Sequence, residues 1–216
     1  MSGPAFVVAV AGPPGSGKTS LTEALSRHLG GAPIVSYDAY ERITDWPPDR
    51  VADWLRRGAP LAEVPLPGLA TDLAALRRGE AVPDRARGGT LRLGRAEPRI
   101  ALFDTLLGRA HAGTGAFIDL LIWLDVPLDV ALARKLRSFT AEALRDPRAG
   151  PPLLAALDAY LGRYETLLRP TYAIQRERVR PGADLVLPAA PLADLLTAAL
   201  PALARAMPRA AAEIPR

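Results

Sequence analysis

The 216-residue sequence contains no cysteine. Disulfides, thiolate nucleophiles and cysteine-ligated metals are therefore excluded. Lysine is nearly absent too: of 27 basic residues only Lys18 and Lys135 are lysine, and the rest are arginine. The two histidines, His28 and His111, are too isolated for a metal site and are expected at the surface. Aromatics make up 6% of the chain, and no basic run is interleaved with them. A nucleic-acid surface is not expected on that pattern. No apolar stretch reaches the roughly 20 residues needed to span a bilayer. The early apolar run leads into a glycine loop rather than to a leader cleavage site. A cytoplasmic protein is expected, with neither membrane nor nucleic acid as partner; homo-oligomerisation is left open.

What is present suits a single domain over residues 1–216. The chain is 49% apolar and 23% charged, enough for a buried core. A net charge of +4 suits small anions such as nucleotides. Short apolar runs alternate with longer amphipathic ones. AFVVAVA (5–11), PIVSYD (33–38), RIALFD (99–104), DLLIWLDV (119–126) and ADLVLP (183–188) read as five strands. Helices are expected over 21–30, 127–139, 151–179 with a kink near Pro170, and 191–207, with a frayed tail beyond Pro208. Unbroken apolar strands separated by helices predict an α/β fold with a parallel sheet covered on both faces. Residues 39–98 break the alternation. They are rich in proline and glycine, hold Trp46 and Trp54, and offer one short helix at 71–79. They read as an insertion between strands two and three, over one end of the sheet, that recognises substrate.

The first strand runs into GPPGSGKTS, Gly12 to Ser20. Gly12-x-x-x-x-Gly17-Lys18-Thr19 between a strand and a helix is the phosphate-loop pattern. Glycines let backbone N–H groups turn inward around a phosphate, and the following helix adds its positive end. Gly12, Pro13, Pro14, Gly15, Ser16, Gly17, Lys18, Thr19 and Ser20 are the expected ATP-binding residues. Lys18 supplies charge to the β- and γ-phosphates, and the Thr19 hydroxyl is a ligand for Mg²⁺. Asp38 ends the second strand, where parallel sheets gather their ligands. It reads as a catalytic base or as a turn cap. Asp104 ends the third and reads as a metal residue or a helix cap. Arg134 and Arg137 share one helix face beside Lys135, and read as clamps on the transferring phosphoryl group or as a solvated face. Arg77, Arg78, Arg85, Arg87, Arg92, Arg95 and Arg99 crowd one segment, to meet an anionic acceptor or water.

With these stretches in order, most of residues 5–188 resembles the uridine kinase family of P-loop kinases, whose relatives are phosphoribulokinase and type I pantothenate kinase. VSYDAYER resembles the family's strand ending in Asp before an aromatic, and FDTLLG its FEG-L segment. IDLLIWLDVPLDVALARKLR resembles the stretch entering the lid, and YLGRYETLLRPTYAIQRERVRPGADLVLP the C-terminal pattern. The resemblance implies a P-loop NTPase fold and transfer of the ATP γ-phosphoryl group to an alcohol with Mg²⁺. It implies Asp38 as base, lid roles for Arg134 and Arg137, and Tyr40, Arg42 and Asp49 near the acceptor. The family's insertion carries an aromatic and a histidine that read a pyrimidine; AVPDRARGGTLRLGRAE has neither. The expected acceptor is therefore not a standard pyrimidine nucleoside but something smaller or more anionic. Two other readings stay open: a nucleotide kinase with a phosphate acceptor, and a non-catalytic nucleotide-binding regulator.

Overall fold

In the computed structural model, residues 3–94, 98–146, 148 and 150–207 are described. Arg95 and the tail expected to fray beyond Pro208 lie outside them. The elements run β1 (Phe6–Ala11), α1 (Lys18–His28), β2 (Ile34–Ser36), α2 (Pro48–Arg56) and α3 (Leu69–Arg78). A two-stranded hairpin, β3 (Val82–Pro83) and β4 (Thr90–Leu91), precedes β5 (Ile100–Thr105), α4 (Ala112–Gly115) and β6 (Leu120–Asp125). Then come α5 (Leu128–Arg145), α6 (Gly150–Gly162), α7 (Arg169–Val179), β7 (Leu185–Pro188) and α8 (Leu192–Ala206).

The five expected strands form one parallel sheet in the order β2-β5-β1-β6-β7. β1 lies at its centre, bonded to β5 on one edge and β6 on the other. Alternation along β1 feeds two cores. Val8 and Val10 pack with Leu21 and Leu25 of α1 and Leu195, Ala199 and Leu203 of α8. Val7, Ala9 and Ala11 face the opposite side, with Trp54 of α2, Leu69, Leu73 and Leu76 of α3, and Val179 of α7. Small and β-branched residues without polar atoms are what a strand covered on both faces requires.

Residues 39–94 hold more regular structure than their proline and glycine content suggests. Pro47 and Pro48 start a helix, because a proline in the first turn gives up no intrahelical bond. α3 does not cap one end of the sheet. It lies on a face, with Leu69, Leu73 and Leu76 on one helical stripe. Its last turn is pinned to the amino ends of the strands. Ala5 donates its N–H to the Arg77 carbonyl (2.8 Å), and the Arg77 guanidinium reaches the Phe117 carbonyl and Asp119 (both 2.9 Å).

Further on, the chain breaks before Pro170. One π-helical turn, Tyr164–Leu168, separates α6 from α7, and Pro170 sits harmlessly in the first turn of α7. His28 is exposed as expected, but His111 is buried, with Nδ1 3.0 Å from the Thr114 hydroxyl. Among the described residues no helix is long and apolar enough to cross a membrane.

If α3 is part of the core, Leu73→Ala should lower the unfolding free energy by about 2–5 kcal/mol, the range for a buried leucine. Urea denaturation reads this directly. A loss below about 1 kcal/mol would mean that the insertion merely rests on the sheet.

Candidate active site

The glycine loop leaves β1 at Ala11 and enters α1 at Lys18. It turns back on itself, the Ser16 N–H bonding the Pro13 carbonyl at 3.0 Å. Gly17, at the start of α1, is left-handed (φ 99°), and no side chain caps the first turn. The amides there remain available to an anion. Gly15 is also left-handed (φ 86°), and a Cβ on it would lie 2.1 Å from the Ala131 carbonyl of α5. Glycine at 15 is thus a steric requirement of packing the loop against α5. The Ser16 hydroxyl is buried with no partner among the described residues. Ser20 is exposed on α1.

Lys18 folds over the loop and donates to the Pro13 carbonyl at 3.3 Å. Burial draws its ammonium below the usual lysine range; Asp104 and Asp38 oppose this, while Lys135 adds to it. Thr19 donates its hydroxyl to Asp104 at 2.7 Å. Asp104 lies within β5, level with Val10 of β1 and Ser36 of β2, and is 8% exposed. It caps no helix, because the next turn starts at Gly108 after an uncapped Leu107. Burial raises its pKa, and Lys18 and the Thr19 hydrogen bond pull it down again.

A hydroxyl and a carboxylate side by side are the hard oxygen donors that Mg²⁺ takes. Among the described residues no group of three acidic or histidine side chains could hold a metal. A Mg²⁺ here would complete its shell with water and substrate oxygens, its usual habit. With the uncapped first turn and the orphaned Ser16 hydroxyl, these residues fit a magnesium nucleotide.

Asp38 lies just beyond β2, in a 3₁₀ turn Tyr37–Ala39, rather than at the strand's last residue. Its carboxylate is exposed, caps nothing, and has no hydrogen-bond partner among the described residues. It lines a cavity of about 350 Å³ that also touches Pro14 of the loop. Lys135 of α5 lines the same cavity, its Nζ 5.1 Å from the centre of the Phe139 ring. Arg134 lies beside the loop, donating to the Ser16 carbonyl at 3.3 Å. Asp38, Lys18, Thr19, Asp104 and Arg134 are therefore brought together around the loop.

The remaining site residues are not. Tyr40 is buried, and its hydroxyl donates to Asp72 at 2.9 Å. Burial and that bond push its pKa up to about 12. Arg42 folds onto the Glu41 carbonyl (2.7 Å), Asp49 is exposed in the first turn of α2, and the Arg137 side chain is exposed. None of these four lines the cavity. The 3₁₀ turn presents Tyr37 there instead of Tyr40. Four arginines of the insertion are engaged elsewhere: Arg77 with Asp119, Arg78 with Glu80, Arg85 with Asp72 and Arg87 with Glu23. Trp54 does two jobs. It anchors the insertion through Nε1 to the Pro60 carbonyl and an edge-on Trp46, and it walls the cavity.

Gln175 of α7 escaped the sequence reading. It is 2% exposed and lines the cavity. Its Nε2 donates to the carbonyls of Gly12 and Leu106, which tie it to the loop and to the end of β5. Its Oε1 is buried without a partner among the described residues. The available signal was a polar residue three from Tyr172 and four from Val179, on the buried stripe of a helix.

No protein-family model and no curated protein matches the sequence. Solved structures do. A "putative fructose transport system kinase" from Silicibacter sp. TM1040 shares 22% identity over 86% of this chain and 90% of its own, with a TM-score of 0.52. A "possible uridine kinase" from Bacillus stearothermophilus shares 14% over 87% and 90%, with a TM-score of 0.53. At such identities the likeness is one of architecture. The loop, the strand order and these two likenesses give the chain the fold of the P-loop kinases.

Proposed function

We propose that the chain is an ATP- and Mg²⁺-dependent kinase that transfers the γ-phosphoryl group to a hydroxyl of a small molecule. The observation that carries this reading is Asp38. It is an unpartnered carboxylate on the wall of a cavity that abuts the phosphate loop. A regulator that only senses nucleotide needs no such group there, whereas a kinase needs a group to orient its nucleophile. The kinase names of both structural relatives support phosphoryl transfer in general terms.

In this reading the loop amides and Lys18 hold the β- and γ-phosphates of ATP. Thr19 and Asp104 would hold Mg²⁺, which would supply neutralisation of phosphate charge. Asp38 accepts the proton of the acceptor hydroxyl. The freed oxygen forms a bond to the γ-phosphorus as the bond to the β-γ bridging oxygen breaks, and ADP leaves. Arg134, beside the loop, and Arg137, through a swing of its exposed side chain, balance charge on the phosphoryl oxygens. A phosphate-bearing acceptor has less support, because four of the arginines that would have met it, Arg77, Arg78, Arg85 and Arg87, are paired with carboxylates of the chain.

Asp38→Asn should reduce ATP-dependent phosphorylation about 100-fold or more while nucleotide affinity stays nearly constant. ADP release and calorimetry measure the two quantities, and undiminished turnover would remove Asp38 from the mechanism. Gly15→Ala should weaken nucleotide binding at least about tenfold, because a left-handed backbone and the Ala131 carbonyl both oppose a methyl group. Unaltered affinity in that variant would mean that the loop is not the phosphate cradle.

A further inference from the structure

The cavity beside Asp38 carries more chemical information than its position. Five aromatic side chains wall it: Tyr37, Trp54, Phe139, Tyr160 and Tyr172, with Leu61 among the aliphatic residues between them. Among the described residues no arginine lines it. Its ionisable groups other than tyrosine are two carboxylates, Asp38 and Glu41, and one ammonium, Lys135. Lys135 sits on α5, the helix whose Ala131 carbonyl packs on Gly15 of the loop.

Several polar groups on the wall are already engaged. Glu41 accepts the backbone N–H groups of Ile43 and Thr44. The Thr171 hydroxyl donates to the Leu167 carbonyl at 2.7 Å. Among the described residues the Asp38 carboxylate, the Tyr37 hydroxyl and the buried Oε1 of Gln175 have no hydrogen-bond partner, and of these the carboxylate and the amide oxygen can only accept. The amide orientation of Gln175 is fixed, because its Nε2 faces two carbonyls, which can only accept. These two acceptors call for hydrogen donors on the ligand. An anionic group would find two carboxylates on the wall against the single ammonium of Lys135 and no guanidinium, so burying its charge there is costly.

We infer that the acceptor is an uncharged alcohol on an apolar ring, with one hydroxyl toward Asp38 and a second donor toward Gln175. The inference rests on the kinase reading for the fate of the first hydroxyl, and on the cavity alone for the class of ligand. It replaces the smaller or more anionic acceptor expected from the sequence. Five aromatic faces suit a flat ring, as stacking or edge contacts. The volume of about 350 Å³ lies in the range of small-molecule sites.

The test uses the full chain and two panels of similar size. One holds uncharged aryl and alicyclic diols; the other holds sugar phosphates and hydroxy acids. Each compound is assayed for gain of one phosphate with ATP and Mg²⁺, and for binding by calorimetry without nucleotide. The diols should lead by at least about 100-fold in kcat/KM, as expected where a charge must be buried beside two carboxylates and one ammonium. A lead by the anionic panel, in turnover or in binding, overturns the inference and leaves the kinase reading intact. Diol binding with no phosphorylation of any compound overturns the kinase reading and leaves the ligand class standing. Absence of both binding and turnover in the diol panel also overturns the inference. Phe139→Ala should raise KM for the best diol about tenfold, the worth of an aromatic contact surface. If that variant melts early, Phe139→Leu keeps the bulk and removes the ring. An unchanged KM in a folded variant overturns the aromatic wall.

Discussion

A strand bonded along both edges and buried on both faces can pass nothing but backbone to the solvent at its ends. β1 is that strand, and its carboxyl end is where the glycine loop begins. The loop therefore starts from one of the least mobile points in the molecule. Every group of the candidate site is measured from it. Asp104 is level with Val10 in the ladder, and Thr19 reaches across to it from the first turn of α1. Gln175 bonds the Gly12 carbonyl, and Ala131 presses on Gly15 from α5. Preorganisation of this kind is what phosphoryl transfer asks of a protein, since positioning and charge supply most of the rate.

The part of this arrangement legible in the sequence is the part in which chemistry or burial restricts residue type. A phosphate cradle admits few side chains, so Gly12 to Thr19 could be read at sight. Strands covered on both faces are unbroken apolar runs, so all five were readable. The insertion was harder. Proline and glycine punctuate its loops, but Pro47 and Pro48 also launch α2, and the leucines of α3 find their place only in a core shared with distant strands such as β1 and β5. The cavity side was harder still. Tyr37 and Tyr40 are the same residue type three positions apart, and a single 3₁₀ turn decides which one faces the cavity. His111 looked like a surface residue because nothing in the sequence announces Thr114 as its buried partner.

The dominance of arginine acquires a structural meaning. Arg109 alone reaches the carbonyls of Gly182, Ile118 and Asp119 and the carboxylate of Asp184. Asp184 in turn accepts the Leu121 N–H and so aligns β7 beside β6. Arg77 ties α3 to Asp119, which accepts the Val7 N–H. A planar fork of five donors can satisfy several oxygens at strand ends at once; a single ammonium cannot. Guanidinium groups here hold segments together more than they greet ligands.

The two lysines stand apart from that pattern, because both border the phosphate loop and its adjoining cavity. Desolvation favours the neutral amine at Lys18. Apart from the α-amino group, reagents that acylate primary amines thus have nowhere to react except at the candidate site. A covalent label or crosslinker of that chemistry would mark only this place and the amino terminus, without any engineering of the chain.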